Sequence, residues 1–139
     1  MSQRTLTIIK PDSTRAGKAG AILAHLEKEG FRLLAGRKVT LSPAQARAFY
    51  AVHRERPFFD GLVRFMTEGP VWAVALERDD AVSRLRGVMG ATDSKKAEPG
   101  TIRSLYGTDI ERNAIHGSDS AENAAREIGF FFSESELIQ

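Results

Sequence analysis

His116 lies in Asn113-Ala-Ile-His-Gly-Ser-Asp-Ser120, between two apolar residues and a run of small polar ones. Three kinds of chemistry fit such a residue: a structural imidazole hydrogen-bonded within a strand, a metal ligand, or a nucleophile. The chain has 3 histidines and no H-x-H or H-x-x-x-H pair, which weighs against a histidine metal site. Ser118 and Ser120 stand close by, but no G-x-S-x-G elbow accompanies them, so a serine hydrolase is not indicated. Cysteine is absent, which removes thiol nucleophiles, zinc–thiolate sites and disulfides. The residues alone leave His116 between a structural and a nucleophilic role, the structural one being the commoner for a histidine in a strand.

Phosphate chemistry is the next question. Gly17-Lys-Ala-Gly-Ala has neither the spacing nor the Gly-Lys-Ser/Thr ending of a Walker loop, and no G-x-G-x-x-G occurs. Any nucleotide must therefore be held by side chains. Lys10, Arg86, Thr92, Arg103 and Arg112 are the candidates, with arginine's planar fork suited to phosphate. Scattered cations of this kind are ordinarily solvated surface. Arg56-Pro-Phe-Phe59 starts a helix with two adjacent rings. Successive helical residues point about 100° apart, so one ring faces the core and the other is free to stack on a base. His25 and His53 fall on polar helix faces, where solvation is the expectation.

The elements that must position these residues follow from pattern. Thr5–Lys10 reads as a strand ending in a Pro11-Asp12 turn, and residues 19–30 as a helix with Ile22, Leu23 and Leu26 on one face. Residues 31–41 read as a second strand, with Gly36 marking a bulge. Ser42-Pro43 opens a helix in N-cap and N1 order. Phe58–Thr67 forms another, and residues 71–77, VWAVALE, an apolar strand. Asp79-Asp80 caps a helix over 81–89, and residues 90–100 are irregular. Residues 114–116 make a short last strand, and Asp119 with Glu122 resembles a capping box for the final helix. The order groups into a split βαβ pair and predicts an α+β, ferredoxin-like sandwich: a four-stranded antiparallel sheet covered by helices.

Composition sets milder limits. At 139 residues, 42% hydrophobic and 27% charged, the chain fits one domain, 1–139, with a real core. A net charge of +2 gives no strong case for nucleic acid, although a pI near 9.1 keeps the option open. No apolar run approaches the roughly 20 residues that span a bilayer, and the N-terminus has no signal-peptide core. A cytoplasmic location with no membrane partner is the expectation.

TIIKPD, FYAVHRERPFFDGLV, MTEGPV, GATD, PGTIR and above all NAIHGSDS, followed by REIGFFF, resemble the nucleoside diphosphate kinases of the short bacterial type over essentially the whole chain. The resemblance implies the ferredoxin-like fold already read from pattern. It also implies an enzyme that moves the terminal phosphate of ATP, or another nucleoside triphosphate, to a nucleoside diphosphate by a ping-pong route with low base specificity, so maintaining nucleotide pools. By position, His116 would carry the phosphoryl group, Glu127 would accept a hydrogen bond from its ring, and Ser118 would support that carboxylate. Lys10, Arg86, Thr92, Arg103 and Asn113 would hold phosphates and sugar, with Tyr50 near the phosphate path. Phe58 would stack on the base and Ile110 would close its other side. Arg112 belongs to the same wall in a less uniform way.

Magnesium is the implied cofactor, held mainly by nucleotide phosphates and water and not by a protein cage. A homo-oligomer is implied too. The chain stops at Gln139, short of the tail typical of hexameric relatives, which favours a tetramer over a dimer or hexamer. Ser94 stands where many relatives carry proline, and SLYGTDIER departs from the commoner segment there. Two rivals are a catalytically silent nucleotide-binding relative and a ferredoxin-like RNA-binding module. The second lacks the paired exposed aromatics on its strands that such a sheet uses.

Overall fold

The computed structural model describes residues 2–139. Its centre is one sheet of β1 (Ser2–Ile9), β2 (Arg32–Val39), β3 (Val71–Asp79) and β4 (Ile115–Gly117), in the order β2-β3-β1-β4 with every neighbour antiparallel. This is the ferredoxin-like arrangement that the element order predicts. Apolar residues occupy both sides of β1 and β3 because helices cover both faces. Leu6 and Ile8 pair with Ala75 and Ala73 on one face, and Ile9 and Thr7 with Trp72 and Val74 on the other.

The first face packs on α3 (Pro43–Phe49), α4 (Phe59–Met66), α7 (Ala121–Phe131) and α8 (Glu134–Leu137), through Phe49, Val63, Phe65, Met66, Ile128, Phe131 and Leu137. The second packs on α2 (Ala19–Lys28), α5 (Ala81–Met89) and α6 (Ile102–Tyr106), through Ile22, Leu26, Leu85, Met89 and Ile102. Among the described residues no helix is long and apolar enough to cross a membrane.

Local chemistry explains most boundaries. The Ser42 hydroxyl accepts from the Gln45 amide at 3.1 Å, and the Gln45 side chain accepts from the Ser42 amide at 2.9 Å, with Pro43 in the first turn. Phe58 sits half exposed just before α4, while Phe59 packs against the core, as the 100° rule requires.

Other expectations change. Pro11 does not end the first strand in a turn; it opens α1 (Pro11–Arg15), because proline is favoured at a first helical position. The irregularity in β2 falls between Leu33 and Ala35, not at Gly36. Asp80 precedes α5 with φ +51° and makes no side-chain cap, since the Val82 amide donates to Gln3 Oε1 at 2.9 Å instead. Ser120, not Asp119, caps α7 by accepting the Asn123 amide at 3.0 Å. The helix opened by Ser42-Pro43 stops at Phe49, and residues 51–53 form a 3-10 turn. A second such turn, Ser94–Lys96, interrupts the irregular stretch 90–100. Neither α6 nor α8 is apparent from apolar spacing. Both are short and rest on caps, Thr101 for α6 and the Ser133–Glu136 box for α8.

Candidate active site

Pairing fixes where His116 points. β4 lies antiparallel to β1 with Thr7 opposite Gly117, Ile8 opposite His116 and Ile9 opposite Ile115. Ile115 and Gly117 therefore face α5, and His116 faces the α3/α7 side. Gly117 is required there, because a Cβ at that position would come within 2.7 Å of Met89 Sδ and 2.9 Å of a Leu85 methyl. The Thr7 hydroxyl donates to the His116 carbonyl at 2.7 Å and ties the strand down further.

Above His116, α7 brings Glu127. His116 Nε2 and Glu127 Oε1 are 2.7 Å apart, and the Ser118 hydroxyl donates to the same oxygen at 2.8 Å. A carboxylate acceptor places the ring proton on Nε2, so Nδ1 keeps its lone pair and has no partner among the described residues. Phe49 and Tyr50 present ring edges to the imidazole, with centroids 5.4 and 5.8 Å away. His116 keeps 18% of its side-chain surface open.

Burial lowers the His116 pKa below its ordinary 6.5, although Glu127 pulls it upward through hydrogen bond and charge. Burial alone would raise the Glu127 carboxyl. The bonds from His116 and Ser118 outweigh it and hold the group below its usual range. The pair thus favours a neutral, oriented imidazole beside an ionised carboxylate.

A cavity of about 480 Å³ opens over this cluster. Lys10, Tyr50, Phe58, Arg86, Thr92, Arg103, Ile110, Asn113, His116 and Glu127 all line it, and Ser118 lies buried behind Glu127. Apart from Arg112, the site residues expected from sequence are thereby gathered in one place. Lys10 Nζ donates to Asn113 Oδ1 at 2.8 Å, and Asn113 Nδ2 donates to the carbonyls of Thr92 and Ile110. Burial, reinforced by Arg103, lowers the Lys10 pKa to about 8.

Arg103 is buried at the back, donating to the carbonyls of Gly90 at 3.1 Å and Ile115 at 2.8 Å, while its Nε finds no partner. Burial, then the nearby Arg86 charge, lowers its pKa to about 10. Arg86 is exposed on α5 with no salt bridge among the described residues. The Tyr50 hydroxyl is buried without a hydrogen-bond partner, and burial pushes its pKa upward. At the mouth, Phe58 is 52% and Ile110 64% exposed.

Two expectations are corrected. Arg112 leaves the wall: it bonds Glu68 at 3.4 Å and lies over the Phe65 ring at 5.1 Å. His53 is not merely solvated, since it lines the cavity with its ring 5.4 Å from Phe58. Val52, Leu62, Glu111, Asp119 and Asn123 also line the cavity and were not foreseen. Asp119 alone carried a signal, lying within the His116 motif. Its carboxyl is held below its usual range first by the Asn123 side chain, which donates at 2.6 Å.

The sequence profile described as "Nucleoside diphosphate kinase" matches residues 3–137. The chain belongs to the nucleoside diphosphate kinase family. It is 56% identical over 137 residues to the nucleoside diphosphate kinase of Acidiphilium cryptum, covering 99% of this chain and 98% of that one. With that of Granulibacter bethesdensis it shares 57% over 136 residues, covering 98% and 97%. The crystal structure of the Aquifex aeolicus nucleoside diphosphate kinase superposes with a TM-score of 0.96 at 48% identity, covering 99% of this chain and all of that one. A halophilic nucleoside diphosphate kinase from Halobacterium salinarum, solved in complex with CDP, gives 0.94 at 42% identity, covering 100% of this chain and 93% of that one. Like the rest of its family, the chain is a phosphotransferase that moves phosphate between nucleotides.

Proposed function

We propose that the chain carries the terminal phosphoryl group of ATP, or another nucleoside triphosphate, on His116 and delivers it to a nucleoside diphosphate. The observation that carries this reading is the 2.7 Å contact between His116 Nε2 and Glu127 Oε1, which leaves Nδ1 as the nucleophile. In the first half-reaction an N–P bond forms at Nδ1 as the bond from the γ-phosphorus to the bridging oxygen breaks, and the diphosphate leaves. The imidazolium charge that develops is balanced by Glu127, which Ser118 holds in place. An acceptor diphosphate then reverses these steps, giving ping-pong kinetics with one site used twice.

Little covalent work remains for the protein, so the rest is positioning and charge neutralisation. Lys10, Arg86 and Arg103 supply positive charge, Thr92 and Asn113 supply polar contacts to phosphate and sugar, and the Tyr50 hydroxyl is free to donate along the phosphate path. The base would lie between Phe58 and Ile110, where stacking tolerates every base. Magnesium fits as a passenger on the nucleotide. Asp119, whose carboxyl on the cavity wall is held below its usual range, would help hold the ion that the phosphates carry. When bound, the ion neutralises phosphate charge.

The same reading makes residues 1–139 one kinase domain, working in the cytoplasm to keep nucleotide pools balanced. We also propose a homotetramer. β2 is an edge strand with no further strand beside it among the described residues, and the exposed Phe130 and Ile138 are surface that a second copy would cover. Light scattering should give about four times 15.3 kDa; a mass near six times that value rejects the tetramer.

Brief incubation with γ-labelled ATP and magnesium tests the chemistry. The label should be lost in acid, survive in base, and pass to added diphosphate. An acid-stable label would move the assignment to Ser118 or Ser120, and an unlabelled protein would leave only a silent nucleotide-binding relative.

A further inference from the structure

Asp12 does no binding or proton work in this scheme, yet its carboxylate is tied to the segment that carries Asn113 and His116. Its Oδ2 accepts the Ala114 amide at 3.0 Å, across 102 positions of chain. Two residues earlier, the Lys10 amide donates to the Ala114 carbonyl at 2.8 Å. One short segment therefore grips both polar groups of Ala114. That residue needs gripping. It is fully buried with a left-handed φ of +74°, at the centre of a tight turn that the Ile115 amide closes by donating to the Asn113 carbonyl at 2.8 Å, a strained conformation that alanine keeps only where its surroundings enforce it.

The residues on either side are those the reaction uses. Asn113 precedes Ala114 and binds Lys10 Nζ; Ile115 and His116 follow it. The twist at Ala114 sets the angle between them. We propose that Asp12 is a positioning residue for phosphoryl transfer: its carboxylate holds Ala114 in the left-handed turn and so fixes the Lys10–Asn113 pair relative to the His116 ring. This inference rests on the function proposed above.

The same carboxylate has an electrostatic effect that can be separated from the strut. Lys10 is faced by Asp12 from α1, Arg103 from α6, His116 from β4 and Glu111 from the loop before β4. Burial and Arg103 lower its pKa, while Asp12 and Glu111 raise it. An asparagine at position 12 keeps an oxygen for the Ala114 amide and removes the charge. An alanine removes both. Glycine at 114 takes up the left-handed turn unaided, so it makes the strut dispensable.

The experiment compares wild type, Asp12→Asn, Asp12→Ala and Asp12→Ala/Ala114→Gly. Asp12→Ala should lower kcat by about 10²-fold with little change in KM, the scale of a misplaced reacting group. The double variant should recover about tenfold of that loss, which a general loss of stability would not allow. Asp12→Asn should keep kcat within about threefold while the alkaline limb of kcat/KM moves to lower pH, because Lys10 loses a negative neighbour. Exchange of the Ala114 amide proton should accelerate in Asp12→Ala and not in Asp12→Asn. A folded Asp12→Ala with near wild-type kcat, or a double variant no better than Asp12→Ala, overturns the proposal. If Asp12→Ala does not fold, Asp12→Asn decides: an accelerated Ala114 exchange there rejects the strut. A wild type that takes no label rejects the phosphohistidine reading instead, and the exchange rates still report on the strut by themselves.

Discussion

At the floor of the cavity, His116, Glu127 and Ser118 hold one another through contacts of 2.7 and 2.8 Å, whereas at its mouth Phe58 and Ile110 leave 52% and 64% of their surface uncovered. The floor is made from a strand and a helix locked by caps and sheet pairing. The mouth is made from residues just outside helices, which the core does not restrain. The difference follows from what the proposed reaction asks of each part. Attack on phosphorus needs an aligned lone pair and a fixed counter-charge, and a small displacement is costly. Stacking on a base needs only an available ring face, so imprecision there costs little and base tolerance comes with it.

The comparison breaks most sharply at His116. His116→Ala should lower exchange on the order of 10⁴-fold or more while far-UV circular dichroism and Tm stay close to wild type. Retention of more than a few per cent of turnover would remove the nucleophile from the floor altogether.

Titration gives the next largest effect. On the proposed route His116 must be neutral to attack, and burial sets its pKa below 6.5, so activity should persist into mildly acidic solution. The same proposal needs Lys10 protonated, and its lowered pKa of about 8 puts the expected alkaline limit of kcat/KM near that pH. Beyond either limit, kcat/KM should fall about tenfold per pH unit. An alkaline limit near 10, the ordinary range for a lysine, would mean that Lys10 is more solvated than its packing implies.

Phe58→Ala tests the mouth. It should weaken binding of all bases by comparable amounts, about 1–3 kcal/mol, and raise KM more than it lowers kcat. Competition with the four diphosphates reads this directly, and a loss confined to one base would sharpen the mouth into a specific reader.

Ser94→Pro is the mildest change. Ser94 has a buried hydroxyl with no partner, and its amide makes a long 3.3 Å bond to the Asp109 carbonyl. The preceding Asp93 already has φ −80° and ψ 110°, the extended region that proline imposes on its predecessor. Proline should therefore stabilise the loop by about 0.4–1 kcal/mol. A lower Tm would show that the amide bond matters more than its length implies.

Much of this was legible in the chain because it is local. Ser42-Pro43 announces its helix, and Phe58-Phe59 must divide between inside and outside. The gathering of His116, Glu127 and Ser118 was legible only through resemblance, since nothing in their spacing requires α7 to lie over β4. The bond from Asp12 to Ala114 had no signal at all. Alanine has no preference for a left-handed turn, and the group that enforces it comes from the other end of the chain. α6 and α8 escaped for a related reason: helices of 5 and 4 residues are too short to develop an apolar period. Asp80 shows that a good capping residue is not always the one used, because Gln3 reaches the first turn of α5 from β1.

The close seating of α5 on Gly117 has a mechanical consequence. Leu85 and Met89 press on the one residue of β4 without a side chain, and Arg86 stands between them in sequence on the same helix. The thickness of that helix-on-strand layer thus serves as a gauge block between the Arg86 guanidinium and the His116 ring. Drift in the surface residues of α5 leaves the gauge unaltered, whereas a single added methyl at position 117 resets it. The reach of Arg86 over the site is thereby inherited from packing, since its side chain makes no salt bridge among the described residues.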